Sequence, residues 1–192
     1  MLAGLADPVL DSQRIFRSVL EAMAHPGRVV AMAGPVETPR PAHRAATAVC
    51  LALVDLETPL WLDPAARTAE VLEGLRFHCG CPIVAEPRLA RFALIVDAWT
   101  MPPLEAFDGG SDEYPDRSAT LIVQVAALTA GVGKRLAGPG IAGEARLAVD
   151  GAPERFWVGL RDNHARFPRG VDVILAAPDR VAALPRTTSV AD

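Results

Sequence analysis

The sequence predicts an α/β fold in which helices alternate with buried strands around one mixed sheet. In the first half of the chain, segments of helical periodicity alternate with short apolar runs, an order typical of parallel strands joined by helices. In the second half, closely spaced apolar runs favour hairpins, so the sheet is expected to contain both pairings. These patterns together predict an α/β sandwich with a mixed sheet. No shift in composition divides the 192 residues, and a single domain over residues 1–192 is expected.

The first half of the chain is expected to open with an amphipathic helix. Asp11 is a candidate N-cap, and the apolar residues after it form one stripe at helical spacing, namely Ile15, Val19, Ala22 and Met23. Pro26 and Gly27 end this helix, because neither residue continues a helical turn. Two further helices are predicted at 43–55 and 65–77, and strands are predicted at 28–33, 59–62, 82–85 and 91–99.

The second half of the chain is expected to supply the centre of the sheet. The apolar run at 119–128 predicts a strand buried on both faces, with 134–137 as its hairpin partner or near neighbour. A helix is predicted at 154–163. The remaining predictions are a short helical segment at 101–107, a polar loop at 108–118, and strands at 171–176 and 180–184 joined by a turn at 178–179.

Composition and charge exclude several classes of protein. The formal net charge is −4, so binding to nucleic acid through bulk electrostatics is not expected. The uncharged apolar stretches at 45–54 and 119–133 are too short or too polar to cross a bilayer, and no membrane partner is expected. The first nine residues have no basic start and contain Asp7 and Pro8, unlike a secretory signal. A cytoplasmic protein is therefore expected.

A glycine-rich segment matches the dinucleotide-binding pattern only in form. Gly138, Gly140 and Gly143 have the required spacing, but Pro139 removes one backbone donor and no helix is predicted after them. A turn is the favoured interpretation, and a turn that approaches a ligand stays open. Lys134 lacks the neighbours of a P-loop and is expected to be a solvated surface residue.

The three cysteines and four histidines do not form a readable metal or catalytic site. His78, Cys79 and Cys81 lie close together, but no second ligand pair follows at zinc-site spacing, and Cys50 lies in an apolar helix. A structural role is favoured over a metal site completed by a partner. The acidic residues at 108–116 are interpreted as a solvated or partner-facing loop. No nucleophilic triad can be read from neighbouring residues, so no catalytic and no metal-binding residue is assigned.

The segment after the last predicted strand carries the best anion-binding chemistry. Arg186, Thr187 and Thr188 offer a guanidinium fork and two hydroxyl groups, which suit a phosphate or a carboxylate, and a role in a subunit interface is the alternative. Arg76 and His78 are weaker candidates for the same work.

Several segments, taken in order, resemble one family. They are the helix and its end at 16–27, Ala46-Thr47, the stretch at 51–55, Thr58-Pro59-Leu60-Trp61-Leu62, Arg76-Phe77-His78 with Pro82, the strand at 119–125, Gly138-Pro139-Gly140-Ile141, the stretch at 167–172, and Pro185-Arg186-Thr187-Thr188. This set is similar to PhnH, the H subunit of the bacterial carbon–phosphorus lyase system. The resemblance spans nearly the whole chain, and the order of the motifs makes it specific.

The resemblance implies a fold, partners and a role. The fold would be a three-layer α/β/α sandwich with a mixed sheet, a reduced relative of the pyridoxal-phosphate-dependent transferases without that cofactor. The chain would form a homodimer and join the G, I and J subunits in a complex that forms α-D-ribose 1-methylphosphonate 5-triphosphate from ATP and methylphosphonate. The family has no established catalytic residue in this subunit, so none is carried over. Cys79, Cys81 and Arg169 depart from the family pattern.

Two further hypotheses stand beside a non-catalytic subunit of this complex. One is an independent phosphate- or nucleotide-binding enzyme that uses the 186–188 segment with the turn at Gly138 and Gly140. The other is a pyridoxal-phosphate protein, which needs a lysine for its internal aldimine. The chain has only Lys134, and it is poorly placed in sequence, so no cofactor is expected. Whether this chain catalyses a step by itself is left open by the sequence.

Overall fold

A seven-stranded mixed sheet lies at the centre of the fold. The computed structural model describes residues 4–34 and 37–192. The strands are β1 (Val30–Ala31), β2 (Leu60–Leu62), β3 (Ile83–Val84), β4 (Phe92–Ile95), β5 (Thr120–Gln124), β6 (Ala127–Ala137), β7 (Ala145–Asp150), β8 (Asp172–Ala176), β9 (Arg180–Leu184) and β10 (Ser189–Ala191). The main sheet runs in the order β1-β9-β8-β5-β4-β2-β3. The five strands from β3 to β8 are parallel, whereas β9 and β1 pair antiparallel.

Helices cover one face of the main sheet, and a mixed layer covers the other. The helices are α1 (Pro8–Ala24), α2 (Arg44–Leu53), α3 (Ala69–His78) and α4 (Glu154–Ala165). α1, α2 and α3 pack on the face that carries Ile122 and Ile174. α4 packs on the opposite face, which carries Leu121 and Val173. Because successive residues of a strand point to opposite faces, each central strand contributes to both cores.

A small antiparallel sheet completes the second face. Its strand order is β10-β6-β7, and Leu136 and Leu147 from this sheet are fully buried against the main sheet. The third layer therefore combines one helix with three strands, whereas the α/β/α sandwich implied by the resemblance would have helices alone. The α/β class and the mixed sheet are confirmed. Within the described residues, none of the helices is both long and apolar enough to cross a lipid bilayer.

Most predicted elements of the first half are present, with shorter bounds. The predicted strands at 28–33 and 91–99 are reduced to β1 and β4, and the predicted helix at 65–77 is replaced by a 3-10 turn at Pro64–Ala66 followed by α3. The N-cap of α1 is Asp7, so the prediction that Asp11 caps this helix was wrong. Asp7 Oδ1 accepts hydrogen bonds from the backbone N–H groups of Val9 and Leu10 at 3.1 and 3.0 Å, and Pro8 is the first helical residue.

The apolar run at 119–128 is not one strand. β5 ends at Gln124, and β6 begins at Ala127 in the other sheet. The segment 134–137 belongs to β6, the same strand as residues 127–128, and pairs with β7 and β10, so its prediction as a hairpin partner of the 119–128 run was wrong. The chain changes sheets at Ala126, and along β6 only Leu128 and Leu136 are buried, as expected of a strand with one solvated face. β7 and β10 were not predicted. The predicted elements at 154–163, 171–176 and 180–184 are all present.

Candidate functional site

Arg186 lies at the amino end of the parallel strands, where it is held by Asp172. Its Nη2 is 2.5 Å from Asp172 Oδ2, its Nε donates to Oδ1 at 3.2 Å, and its backbone N–H donates to the same Oδ1 at 2.8 Å. Nη1 donates to the carbonyl of Pro115. The two charged side chains are 13% and 15% exposed. The guanidinium is therefore occupied inside the protein, and an anionic ligand would have to compete with Asp172 for it.

The residues that follow Arg186 are also fixed by local contacts. His164 Nδ1 lies 3.1 Å from the carbonyl oxygen of Arg186, and the backbone N–H of Thr188 donates to Pro185 at 2.8 Å. The Thr188 side chain is buried, and its Oγ1 has no hydrogen-bond partner within the described residues. Thr187 is half-buried. The segment 185–188 is thus a tight turn between β9 and β10.

The glycine turn packs directly against this segment. Gly138 has φ +137°, and a Cβ at this position would lie 2.6 Å from the Thr187 carbonyl oxygen. A Cβ at Gly140, whose φ is +83°, would collide with the Ala24 carbonyl at the end of α1. Strand β7 follows the turn, so the helix N-terminus that a dinucleotide site requires is not formed here. The structure therefore brings Gly138 and Arg186–Thr188 together through close backbone packing.

Arg76 and His78 lie elsewhere, on α3 at the opposite face of the main sheet. They line a cleft of about 780 Å³ together with Phe77 and the carboxylates of Glu37, Glu70 and Glu73. Gly4 approaches the imidazole, since a Cβ on Gly4 would lie 2.7 Å from His78 Cε1. The cleft carries more acidic than basic side chains, which disfavours anions. The sequence candidates therefore form two separate groups.

The three cysteines form a buried cluster beneath α2 and α3. All three are free thiols, and Cys79 Sγ lies 3.8 Å from the carbonyl oxygen of Cys50. Burial raises the pKa of Cys79 to about 12, and the pKa values of Cys50 and Cys81 are raised for the same reason. Metal binding and nucleophilic chemistry both need a thiolate. Among residues 4–34 and 37–192, no group of three or more His, Cys, Asp or Glu side chains is placed so that it could hold a metal ion. A structural role for the three cysteines is therefore favoured.

Two buried polar residues at the carboxyl edge of the sheet were missed by the sequence analysis. Asp63 accepts hydrogen bonds from the backbone N–H groups of Ala66 at 2.9 Å and Asp97 at 3.1 Å. Gln124 accepts from the His43 N–H at 2.5 Å and donates to the Pro41 carbonyl at 3.1 Å. Both residues fix turns at the ends of strands. The signal that could have identified them is the presence of a polar residue at the end of an apolar run.

Comparison with known proteins identifies the family. The family model for the bacterial phosphonate metabolism protein PhnH matches residues 3–191. A relative from Rhizobium meliloti (strain 1021), the α-D-ribose 1-methylphosphonate 5-triphosphate synthase subunit PhnH, is 38% identical over 187 residues, which cover 97% of this chain and 94% of the relative. A putative C-P lyase subunit protein, HtxG, from Stutzerimonas stutzeri is 35% identical over 179 residues, with 93% and 85% covered. An almost complete match at this identity confirms the resemblance drawn from the ordered motifs: the chain belongs to the PhnH family of bacterial phosphonate metabolism proteins.

Proposed function

We propose that this chain is a subunit of the carbon–phosphorus lyase core complex, which forms α-D-ribose 1-methylphosphonate 5-triphosphate from ATP and methylphosphonate. Its role is assembly, through contacts with the G, I and J subunits and with a second copy of itself in the cytoplasm. The observation that carries the proposal is the 38% identity, over nearly both full lengths, with the synthase subunit from Rhizobium meliloti.

The internal contacts of the Arg186 segment support an assembly role. Asp172 and Pro115 occupy the guanidinium, and Thr188 is buried, so this segment presents little free hydrogen-bonding capacity to a phosphate. Above it, an apolar depression of about 240 Å³ is lined by Pro115, Phe167, Pro168, Pro185 and other residues, and Phe167 is 59% exposed. Exposed aromatic side chains are enriched at the surfaces where proteins dock.

A second apolar surface runs along α1. Val9, Phe16 and Leu20 are spaced by seven and four residues, so they share one face of the helix, and Leu10 lies beside them. All four are exposed, whereas the opposite face of α1 is buried through Ile15, Val19 and Ala22. We call Val9, Leu10, Phe16 and Leu20 the α1 stripe. A subunit that meets several partners needs more than one such surface.

The fold is proposed to be a reduced relative of the pyridoxal-phosphate-dependent transferases, and the position of the only lysine supports the absence of that cofactor. Lys134 lies on β6, and its Nζ is 2.6 Å from Asp192 Oδ1 and 3.2 Å from Glu154 Oε2. Hydrogen bonds to Asp192 and Glu154 raise its pKa. A lysine that forms an internal aldimine must lose its proton, and a raised pKa opposes that loss. An absorbance titration with pyridoxal phosphate that shows no aldimine band is the expected result.

Co-purification tests the subunit role. The chain is tagged in its native host, the cells grow on methylphosphonate as the sole phosphorus source, and the recovered proteins are identified and counted. The G, I and J subunits are expected in fixed ratio. Recovery of the chain without them would contradict the proposal and would favour the independent phosphate- or nucleotide-binding alternative, which calorimetry with ATP and alkylphosphonates then tests.

Variants of exposed residues test which of the two apolar surfaces binds the partner subunits. Phe16→Asp disrupts the α1 stripe, and Phe167→Asp disrupts the proline-lined depression. Leu56→Asp is the matched control, because Leu56 is also an exposed apolar residue but belongs to neither surface. At least one of the two surface variants is expected to lose partner subunits while its circular dichroism is unchanged. Equal recovery of partners with all three variants would exclude both surfaces as docking sites.

A further inference from the structure

One side of α3 forms a wall of a cleft that the assembly role does not use. The residues that share this side, at intervals of three and four, are Glu70, Glu73, Gly74, Phe77 and His78. They line the cleft of about 780 Å³ together with Glu37 and Arg76. Small-molecule sites commonly have volumes of about 300 to 1,000 Å³, so the cleft has the size of a ligand site.

The charges that line the cleft favour a cation. Glu37, Glu70 and Glu73 contribute three carboxylates, and Arg76 contributes one guanidinium. Glu70 Oε2 accepts a hydrogen bond from the Arg40 N–H at 2.7 Å. The Glu73 carboxylate has neither an ion pair nor a hydrogen bond within residues 4–34 and 37–192. A concave surface with an excess of one charge concentrates ions of the opposite sign, so a cationic group is expected beside Glu73.

Phe77 adds an exposed aromatic ring next to this carboxylate. It follows Glu73 by four residues, so the two side chains are neighbours on the helix surface, and it is 62% exposed. The edge of one ring meets the face of the other between Phe77 and His78, with centroids 4.9 Å apart. Aromatic faces attract ammonium groups and also cover methylene groups. An ammonium group on an aliphatic chain therefore suits both Glu73 and Phe77.

A second, smaller cavity adjoins the cleft and contains an unpaired hydroxyl group. Its volume is about 20 Å³, and Glu37, Gly74 and His78 line both spaces. Thr47 of α2 also lines the small cavity, and only 8% of this residue is exposed. Its Oγ1 is buried without a hydrogen-bond partner in the described part of the chain. Buried hydroxyl groups normally have a partner, and this cavity admits one group the size of a water molecule or an ammonium.

We propose that the cleft and the small cavity together bind a linear aliphatic diamine or polyamine. One primary ammonium group enters the small cavity and donates to Thr47 Oγ1, the other lies at Glu70 and Glu73, and the methylene chain crosses Phe77. The small cavity selects a primary amine because a ring or a methylated nitrogen exceeds its volume. Arg76 has the same sign of charge as the ligand and weakens its binding. This inference goes beyond the subunit role and does not depend on it.

Calorimetry with two diamines of equal charge tests the selection of a primary amine. The full-length chain is titrated with 1,4-diaminobutane, and saturable binding of one molecule per chain is expected. The matched control ligand is N,N,N′,N′-tetramethyl-1,4-diaminobutane, whose methylated nitrogens do not fit the small cavity. Its dissociation constant is expected to be about tenfold higher or more. Equal affinities would show diffuse attraction between charges only and would overturn the proposal, as would the absence of saturable binding of 1,4-diaminobutane.

Two charge variants are expected to change the affinity in opposite directions. Glu73→Gln removes an attractive carboxylate and is expected to raise the dissociation constant of 1,4-diaminobutane about threefold. Arg76→Gln removes a repulsive charge and is expected to lower it about twofold. Glu113→Gln is the control, because Glu113 is also exposed but lines neither space, and its affinity is expected to equal that of the wild type. Weaker binding to Arg76→Gln would indicate a ligand held by an anionic group, and an unchanged affinity in Glu73→Gln would equally contradict the proposal.

Two further variants separate the small cavity from an effect on folding. Gly74→Ala adds a methyl group where the two spaces adjoin, and its Cβ would lie 3.7 Å from Pro39 Cγ, which is an ordinary contact. Thr47→Val replaces the unpaired hydroxyl by a methyl group. Alanine favours a helix more than glycine does, and loss of an unpaired buried hydroxyl stabilises the fold, so neither variant is expected to unfold at lower urea concentration than the wild type.

Both variants are nevertheless expected to bind 1,4-diaminobutane about threefold more weakly or less tightly still. Stable variants with the affinity of the wild type would remove the small cavity from the site and overturn the proposal. None of these results bears on the assembly with the G, I and J subunits, which co-purification decides.

Discussion

At the residue scale, the ion pair between Arg186 and Asp172 is the most consequential polar contact of the candidate site. The pair is largely buried and bidentate, so removal of one partner leaves an uncompensated charge. Arg186→Met is expected to lower the free energy of unfolding by about 2 to 3 kcal/mol, measured by urea denaturation. Arg88→Met is the control, because its pair with Glu86 is exposed, and it is expected to cost less than about 0.5 kcal/mol. Equal losses in both variants would contradict the structural role of Arg186.

The contribution of Asp63 to the free energy of unfolding is expected to fall as the pH rises. Burial raises the pKa of its carboxyl group, although backbone hydrogen bonds from Val96, Ala66 and Asp97 oppose the shift. Because the folded pKa exceeds the unfolded one, the stability that Asp63 contributes is complete below about pH 4 and declines as the pH rises through the folded pKa. The free energy of unfolding of the wild type, minus that of Asp63→Asn, is therefore expected to be larger at pH 4 than at pH 7. A difference that stays constant or grows with pH would refute this assignment.

The thiol of Cys79 is expected to be inert in the native protein. Its raised pKa, about 12, leaves almost no thiolate at pH 8, and the side chain is buried. Labelling with a chromogenic disulfide reagent at pH 8 is expected to be slow in buffer and fast in denaturant, at all three cysteines. Rapid labelling of the folded chain would show that the cluster opens in solution, and mass spectrometry would identify which cysteine reacts.

At the element scale, the turn between β6 and β7 is locked by its approach to α1. Gly140→Ala directs a Cβ into the Ala24 carbonyl at a positive φ, so a loss of about 3 kcal/mol or more is expected in urea denaturation. Gly143 has a similar φ, +80°, but a Cβ there would meet no atom within 4 Å. Gly143→Ala is expected to cost about 1 kcal/mol, which is the cost of placing alanine at a positive φ without any steric collision. If both variants lost the same amount, packing against α1 would have no role.

The elements that the sequence predicted well are those whose pattern is local. Strands β8 and β9 and helix α4 each have clear apolar runs with turn residues beside them, and their bounds agree closely with the predictions. The prediction failed at 119–137, because β5 and β6 join with almost no break in hydrophobicity although they belong to different sheets. The partner of Arg186 was also beyond prediction, because Asp172 lies fourteen residues earlier and only the pairing of β8 with β9 brings it near.

At the scale of the whole molecule, stability is expected to be uneven across the two sheets. β5 and β8 lie at the centre of the main sheet and are almost entirely buried, whereas the ladder between β6 and β7 is interrupted, since both Ala130 and Lys134 align with Leu147. Hydrogen exchange is expected to be slowest in β5 and β8 and fastest at residues 131–133. Fast exchange in β5 with protection at 131–133 would contradict this order of stability.

The two short edges of the main sheet limit how the protein can aggregate. β1 and β3 offer two residues each, which is too few to template an incoming strand. Repeated edge-to-edge pairing of sheets, which produces fibres, therefore cannot begin at the edges of the main sheet. At high concentration the protein is accordingly expected not to polymerise through the edges of its main sheet.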